Sequence, residues 1–164
     1  MHFWPRSRED EVTDHFAFLL KRRYALVAKS SSDTGGRVTY RSAKLWIGVE
    51  WDGGDPWLDF SPVGATESYD WDLVRQLLRG RTRFESRDLA THTEKARILA
   101  AFARSHLAAI EALFAPTARS ATVLTLSAMK AERNAQRRAR SATVNRPKRI
   151  PPLLQPPPTR SPRL

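Results

Sequence analysis

The stretch VEWDGGDPWLDF, residues 49–60, gathers four acidic residues, two tryptophans and a Gly-Gly pair in twelve positions. Closely spaced carboxylates are typical of a calcium loop, which needs oxygen ligands at its first, third and fifth positions and a glycine at its sixth. Counted from Asp52, the last three of these positions hold Gly54, Pro56 and Trp57, so the pattern fails. Asp-Gly-Gly instead supplies the positive backbone dihedrals of a hairpin turn, which glycine adopts without steric strain. We therefore interpret the stretch as a β-hairpin rather than a metal site.

No other set of side chains has the residue types and spacing of a catalytic site. The chain has no cysteine, which excludes thiolate nucleophiles, disulfides and Cys-based zinc sites. Its four histidines form no metal-binding pair on a helix, and the glycine motifs that hold phosphates or dinucleotides are missing. The pairs Asp70 with Asp72 and Asp52 with Asp55 could do acid–base chemistry, but carboxylates at turns and helix starts are commoner than catalytic ones. The sequence therefore predicts a non-enzymatic protein with no cofactor and no metal.

The strands on either side of the hairpin direct two tryptophans away from the predicted core. Successive residues of a strand point to opposite faces, and one face here is apolar. That apolar face comprises Leu45, Ile47, Val49, Leu58 and Phe60. The opposite face carries the candidate partner-binding residues Trp46, Trp57, Arg41, Glu50 and Asp59.

Outward tryptophans beside arginine and carboxylates resemble the composition of a protein interface. Two interpretations are open. Either an unidentified protein partner covers this face, or the chain covers it with its own loop Ser61–Tyr69, its N-terminal MHFW or its C-terminal tail.

The net charge of +11 is concentrated at the C-terminal end of the chain. Residues 1–115 carry 17 basic and 16 acidic residues, whereas residues 116–164 carry 11 basic residues and 1 acidic residue. Arg-rich segments bind phosphate backbones without sequence specificity. The alternative hypothesis is therefore RNA or DNA binding through Lys130, Arg133, Arg137, Arg138, Arg140, Arg146, Lys148 and Arg149. A tail of this composition can equally stay solvated.

Periodicity predicts the elements that position these residues. A helix is expected over residues 9–23, with Ser7 as its N-cap and Leu20 among its core residues. Three or four short strands follow, and helices are expected over residues 71–79 and 93–114, the first with Asp70 as N-cap and Gly80 as its stop. His106 falls on the apolar stripe of the last helix. The predicted fold class is α+β, an antiparallel meander packed on one face by an N-terminal helix and two C-terminal helices.

Pro116 is expected to end this domain, which gives a small α+β domain over residues 1–115 and a basic, Arg/Pro-rich tail over residues 116–164. A short helix over residues 120–140 is compatible with the tail sequence, and seven prolines in the last twenty residues predict disorder after residue 145. No apolar run is long enough to cross a membrane, and the first residues lack the apolar core of a secretory signal. We therefore expect a cytoplasmic protein; its oligomeric state is left open.

Four segments together carry a family resemblance: HFAFLLKRRYALV, VTYRSAKLWIGVEWD, LVRQLL and ARILAAFARSHL. Their hydrophobic and turn positions resemble a loose group of small, mostly uncharacterised bacterial α+β proteins, some of which are similar to immunity proteins of toxin systems. The resemblance spans residues 14–115 and excludes the tail. It implies a stoichiometric binder of another protein that performs no turnover, and it carries over no catalytic or ligand-binding residue.

Overall fold

The computed structural model describes residues 7–52, 56–85 and 96–144 of the 164-residue chain. The fold is α+β, as the sequence predicts, with four α-helices and a five-stranded antiparallel sheet among these residues. The helices are α1 (Arg8–Phe16), α2 (Trp71–Leu78), α3 (Ala96–Leu113) and α4 (Arg119–Val144). The strands are β1 (Ala25–Ser31), β2 (Gly35–Arg41), β3 (Leu45–Asp52), β4 (Trp57–Pro62) and β5 (Tyr69–Asp70), and they neighbour one another in chain order. No helix within the described residues combines the length and apolarity needed to cross a membrane.

The first helix begins where the sequence predicts but changes type halfway. Ser7 Oγ accepts a hydrogen bond from the backbone N–H of Asp10 at 3.2 Å, which confirms Ser7 as the N-cap. After Phe16 the chain continues as a 3-10 helix, Ala17–Arg22, and Arg23 ends it with a left-handed backbone at φ 65°.

The change of helix type explains why the prediction for Leu20 is wrong. In an α-helix Leu20 would lie on the same face as Phe16 and Leu19, whereas a 3-10 helix has three residues per turn and rotates that position away from the face. Phe16 and Leu19 are fully buried, but the side chain of Leu20 is 50% exposed. An apolar side chain therefore lies at the surface next to the basic end of the 3-10 helix.

The sheet is a meander, and its predicted alternation is confirmed. Its inner face, turned toward the helices, consists of buried residues: Val38, Tyr40, Leu45, Ile47, Val49, Trp51, Leu58, Phe60 and Tyr69. Antiparallel pairing from Leu45 with Pro62 to Glu50 with Trp57 confirms the β3–β4 hairpin, while its turn residues 53–55 lie outside the described residues. The fifth strand was not predicted, because two residues are too few to show an alternation.

One edge of the sheet is open. All seven residues of β1 are exposed, and within the described residues the strand pairs with β2 alone, with an irregular register between Leu26 and Ala28. Lys29 pairs with Glu9 of α1 at 2.5 Å, so α1 lies beside this strand. The strand is thus held by its ladder and one exposed ion pair rather than by buried side chains.

The helices pack on the inner face. Asp70 Oδ1 accepts from the N–H of Leu73 at 3.2 Å as the predicted N-cap of α2, and Gly80 has the positive φ, 78°, of a helix stop. Helix α3 begins at Ala96 in the described residues, and the predicted start at residues 93–95 lies outside them. His106 is exposed rather than part of the core, and its ring stacks on Phe102 with centroids 4.7 Å apart.

Helix α4 extends the core beyond the boundary expected at Pro116. It is longer than the expected helix over residues 120–140, and Leu126 and Met129 are fully buried in the same core as the sheet. The Tyr69 and Ser127 hydroxyls are hydrogen-bonded at 2.9 Å, which links α4 to β5. Composition predicts that the segment after Pro116 is a solvated tail. Up to about its middle, however, this segment is part of the packed structure.

Substitution of α4 residues tests this packing. We expect Leu126→Ala to lower the free energy of unfolding by about 2–5 kcal/mol, because it removes buried methyl groups and leaves a cavity. Leu124→Ala is the matched control, since that side chain lies on the same helix and is 74% exposed, and its effect should stay within about 0.5 kcal/mol. Urea denaturation followed by circular dichroism gives both values. Equal effects of the two substitutions would contradict the docking of α4.

Candidate partner-binding face of the sheet

The outer face is the side of the sheet turned away from the inner-face core, and its residues lie in three cross-strand rows. Strand register places Arg41, Trp46 and Ser61 in the first row. The middle row contains Thr39, Gly48, Asp59 and Asp70. The third row contains Arg37, Glu50 and Trp57. The two tryptophans therefore flank a polar centre and stand two rows apart, roughly 13 Å along the strand direction.

The two tryptophans differ in their exposure. Trp46 is half-buried, and the guanidinium of Arg41 lies over its ring at 4.8 Å from the centroid. Trp57 is 41% exposed. Because Trp57 keeps this exposure, the loop Ser61–Tyr69 does not bury it; inside this loop Ser61 Oγ donates to the Glu67 carbonyl at 2.8 Å. The other two coverings considered from the sequence, MHFW and the segment after residue 144, lie outside the described residues.

Arg37 organises the centre of the outer face, and sequence analysis did not select it. Its Nη1 donates to Glu50 Oε2 at 2.7 Å, and its Nη2 donates to Asp59 Oδ2 at 2.9 Å and Oδ1 at 3.1 Å. Partial burial favours a lower pKa for the Arg37 guanidinium, but the two carboxylates outweigh it and raise that pKa above its ordinary value. Three of the charges on this face are thus locked into one network spanning β2, β3 and β4.

Gly48 makes this network possible. It lies between Arg37 and Asp59 in the sheet, and a Cβ placed on it would collide with Arg37 Nη2 and Asp59 Oδ1. The missing side chain leaves the channel through which the guanidinium crosses β3 to reach β4. Asp59 is only 8% exposed, so its carboxylate depends on this partner.

A single methyl group added at residue 48 is therefore expected to disrupt the network on the outer face. We expect Gly48→Ala to lower the free energy of unfolding by about 1–3 kcal/mol. The added methyl group displaces the Arg37 guanidinium, and the buried Asp59 carboxylate then loses its hydrogen bonds. In an Arg37→Ala background the second substitution should be less costly, since the guanidinium is already absent. A double-mutant cycle from urea denaturation measures this coupling, and additivity within about 0.5 kcal/mol would contradict the role assigned to Gly48.

The middle row continues into a second ion pair with α4. Asp70, paired in register with Asp59, accepts a hydrogen bond from Arg133, a buried side chain of the basic segment. Lys130 donates to the Ser68 carbonyl at 3.3 Å and lies 5.7 Å from the centre of the Tyr69 ring. Two of the residues considered for nucleic-acid binding are therefore engaged within the fold.

The other residues considered for nucleic-acid binding are placed differently. Arg137, Arg138 and Arg140 are exposed on α4, and Arg146, Lys148 and Arg149 lie outside the described residues. The exposed arginines lie beyond Arg133, the last buried residue of the helix in the described part of the chain. The helix thus has a docked first half and a basic, solvent-facing second half.

The carboxylate pairs considered for acid–base chemistry have structural partners. Asp70 caps α2 and binds Arg133, while Asp72 pairs with Arg75 at 2.8 Å and accepts from Gln76 at 3.3 Å. Asp52 is exposed, and Asp55 lies outside the described residues. In the part of the chain that the structure describes, no three His, Cys, Asp or Glu side chains are grouped so that they could hold a metal ion.

No protein-family model, curated protein or solved structure matches this chain. The residues and distances of the outer face therefore carry the functional inference by themselves.

Proposed function

We propose that this protein is a non-enzymatic binding module that captures a protein partner on the outer face of its sheet, in the manner of an immunity protein. The observation that carries the proposal is the exposure of Trp57, 41%, at the start of β4, where the strand is paired with Glu50 of β3. Burial of a large aromatic side chain against a partner is favourable, because it removes apolar surface from water.

The surroundings of Trp57 favour binding because they are already ordered. Its cross-strand neighbour Glu50 is held by Arg37, which is held in turn by Asp59. Binding to a preformed surface avoids the entropic cost of ordering side chains at the moment of contact. Tryptophan and arginine are also the residue types that contribute most to binding at protein interfaces.

The charges on this face favour a protein over a nucleic acid. Trp57 lies directly opposite Glu50, and the buried Asp59 adds a second carboxylate to the centre of the face. Base-stacking platforms combine aromatics with a basic surround, and carboxylates there repel phosphates. A protein surface with both positive and negative groups complements Arg37, Arg41 and Glu50 better.

Partner capture tests this function. We expect Trp57→Ala to weaken the complex at least about 30-fold, as for truncation of a central interface anchor, while leaving the fold intact. Ile98→Ala is the matched control, because Ile98 is 43% exposed on α3, away from the outer face. Immobilised wild-type and variant proteins capture partners from a native lysate, and titration of the purified partner then gives the affinities. Equal capture by wild type and Trp57→Ala would overturn the proposal.

The second candidate function is non-specific RNA or DNA binding through the C-terminal half of α4. The observation that favours it is the exposure of Arg137, Arg138 and Arg140 on one helix, beyond its docked half. Their side chains are free to meet a phosphate backbone without breaking a contact that packs the domain.

Replacing these three arginines by glutamine separates the two functions. We expect the triple variant to lose retention on RNA at low salt, and the slope of log affinity against log salt to fall by about 2, since each phosphate contact on a single strand contributes about 0.7. Partner capture through Trp57 should be unchanged in the triple variant, and RNA retention should be unchanged in Trp57→Ala. An unchanged salt slope in the triple variant would contradict nucleic-acid binding by α4.

A further inference from the structure

A cavity of about 410 Å³ lies on the helical side of the protein, between the end of the 3-10 helix and α3. We call it the basic cleft, and its lining includes Lys21, Arg22, Arg23, Arg104, Leu107 and Glu111. Four of these six side chains are cationic at neutral pH. The outer face of the sheet contributes none of its residues, so the cleft is independent of the proposed partner-binding surface.

The cations of the basic cleft have no carboxylate partners in the part of the chain that the structure describes. Within the described residues, no ion pair involves Lys21, Arg22, Arg23 or Arg104. The single carboxylate of the lining, Glu111, accepts a hydrogen bond from the Tyr24 hydroxyl at 2.9 Å. Four cations and one carboxylate give the cleft a net positive charge, which attracts an anion.

Helix-end electrostatics accounts for only part of this arrangement. Lys21 and Arg22 are favourable at the negative end of the 3-10 helix. Arg104 lies in the middle of α3, with its guanidinium 4.9 Å from the centre of the Phe18 ring, which holds it at the cleft.

Arg23 is the residue that ends the 3-10 helix. Its backbone has φ 65°, a conformation in which glycine is the favoured residue. An arginine persists at this position at a conformational cost, and its side chain lines the cleft.

We propose that the basic cleft binds the phosphate groups of a small anionic molecule carrying two or three phosphates in a row. Guanidinium groups match phosphate oxygens with paired hydrogen bonds, and three of the four cations are arginines. The volume falls within the range of small-molecule pockets, roughly 300–1,000 Å³. A run of phosphates brings several negative charges into that volume, which an extended acidic peptide does not.

Titration of the full chain with inorganic triphosphate tests the proposal. Two-dimensional NMR of the ¹⁵N-labelled protein locates the site, and isothermal titration calorimetry gives the affinity. We expect shifts at the amides of Arg23, Ser105 and Leu107, and about a tenfold loss of affinity in Arg104→Gln, as for removal of one charge-assisted hydrogen bond. Arg97→Gln is the matched control: Arg97 lies seven residues earlier on α3, is also exposed, and does not line the cleft.

A second variant protects the test against loss of folding. Arg23→Gly removes one cation and also relieves the left-handed backbone conformation, so its melting temperature should equal or exceed that of the wild type while its affinity for triphosphate falls. The proposal is overturned if Arg97→Gln weakens binding as much as Arg104→Gln, or if the shifts are confined to Arg137, Arg138 and Arg140. It is also overturned if the cleft binds an RNA oligonucleotide or polyglutamate but not triphosphate.

Discussion

The carboxylate of Asp70 joins three parts of the fold through its two oxygens. One oxygen caps α2 through the N–H of Leu73, and the other accepts from Arg133 of α4, while the backbone of Asp70 belongs to β5. The position of α4 along the sheet therefore follows from where β5 ends and α2 begins. Because Arg133 is buried, separating this pair would leave a charge without a partner in the interior, so α2, α4 and the sheet edge are constrained together.

The outer face depends on the same row of the sheet. Asp59 stands opposite Asp70 in register, and Arg37 reaches it across Gly48. Two carboxylates brought together on adjacent strands would repel, but each has its own guanidinium, one from β2 and one from α4. The charged side chains beside Trp57 are therefore held in ion pairs, which supports the binding function proposed for this face.

Much of this architecture follows from local sequence patterns. The alternation in β3 and β4 identified the inner-face residues Ile47 and Leu58, and the N-cap positions of Ser7 and Asp70 follow from side chains that can accept a backbone N–H. Leu20 was misplaced because periodicity alone does not show that the helix tightens to three residues per turn. These features depend on neighbouring residues in the chain. A short stretch of sequence therefore predicts them where it carries the pattern and misses them where it does not.

The features that sequence did not predict depend on contacts between distant residues. Thr122, Leu126, Met129 and Arg133 form the buried stripe of α4, but two of the four are polar, so hydrophobic periodicity undervalues the helix. Arg37 becomes important only through the register that sets it across Gly48 from Asp59. Composition assigned Arg133 to a solvated tail, since the partner that buries it lies 63 residues earlier in the chain. Such pairings require the strand register and helix packing to be known first.

The two edges of the sheet differ in what lies beside them. At the β5 edge, α4 supplies Arg133 to Asp70, and Lys130 to the Ser68 carbonyl, so backbone and side-chain groups there already have partners. At the β1 edge no further strand is present among the described residues, and the side chain of Lys29 pairs with Glu9 of α1. An exposed edge strand of seven residues can serve as a template for pairing with another strand. If two chains paired through β1, their sheets would join into one continuous sheet with the β5 strand of each chain outermost.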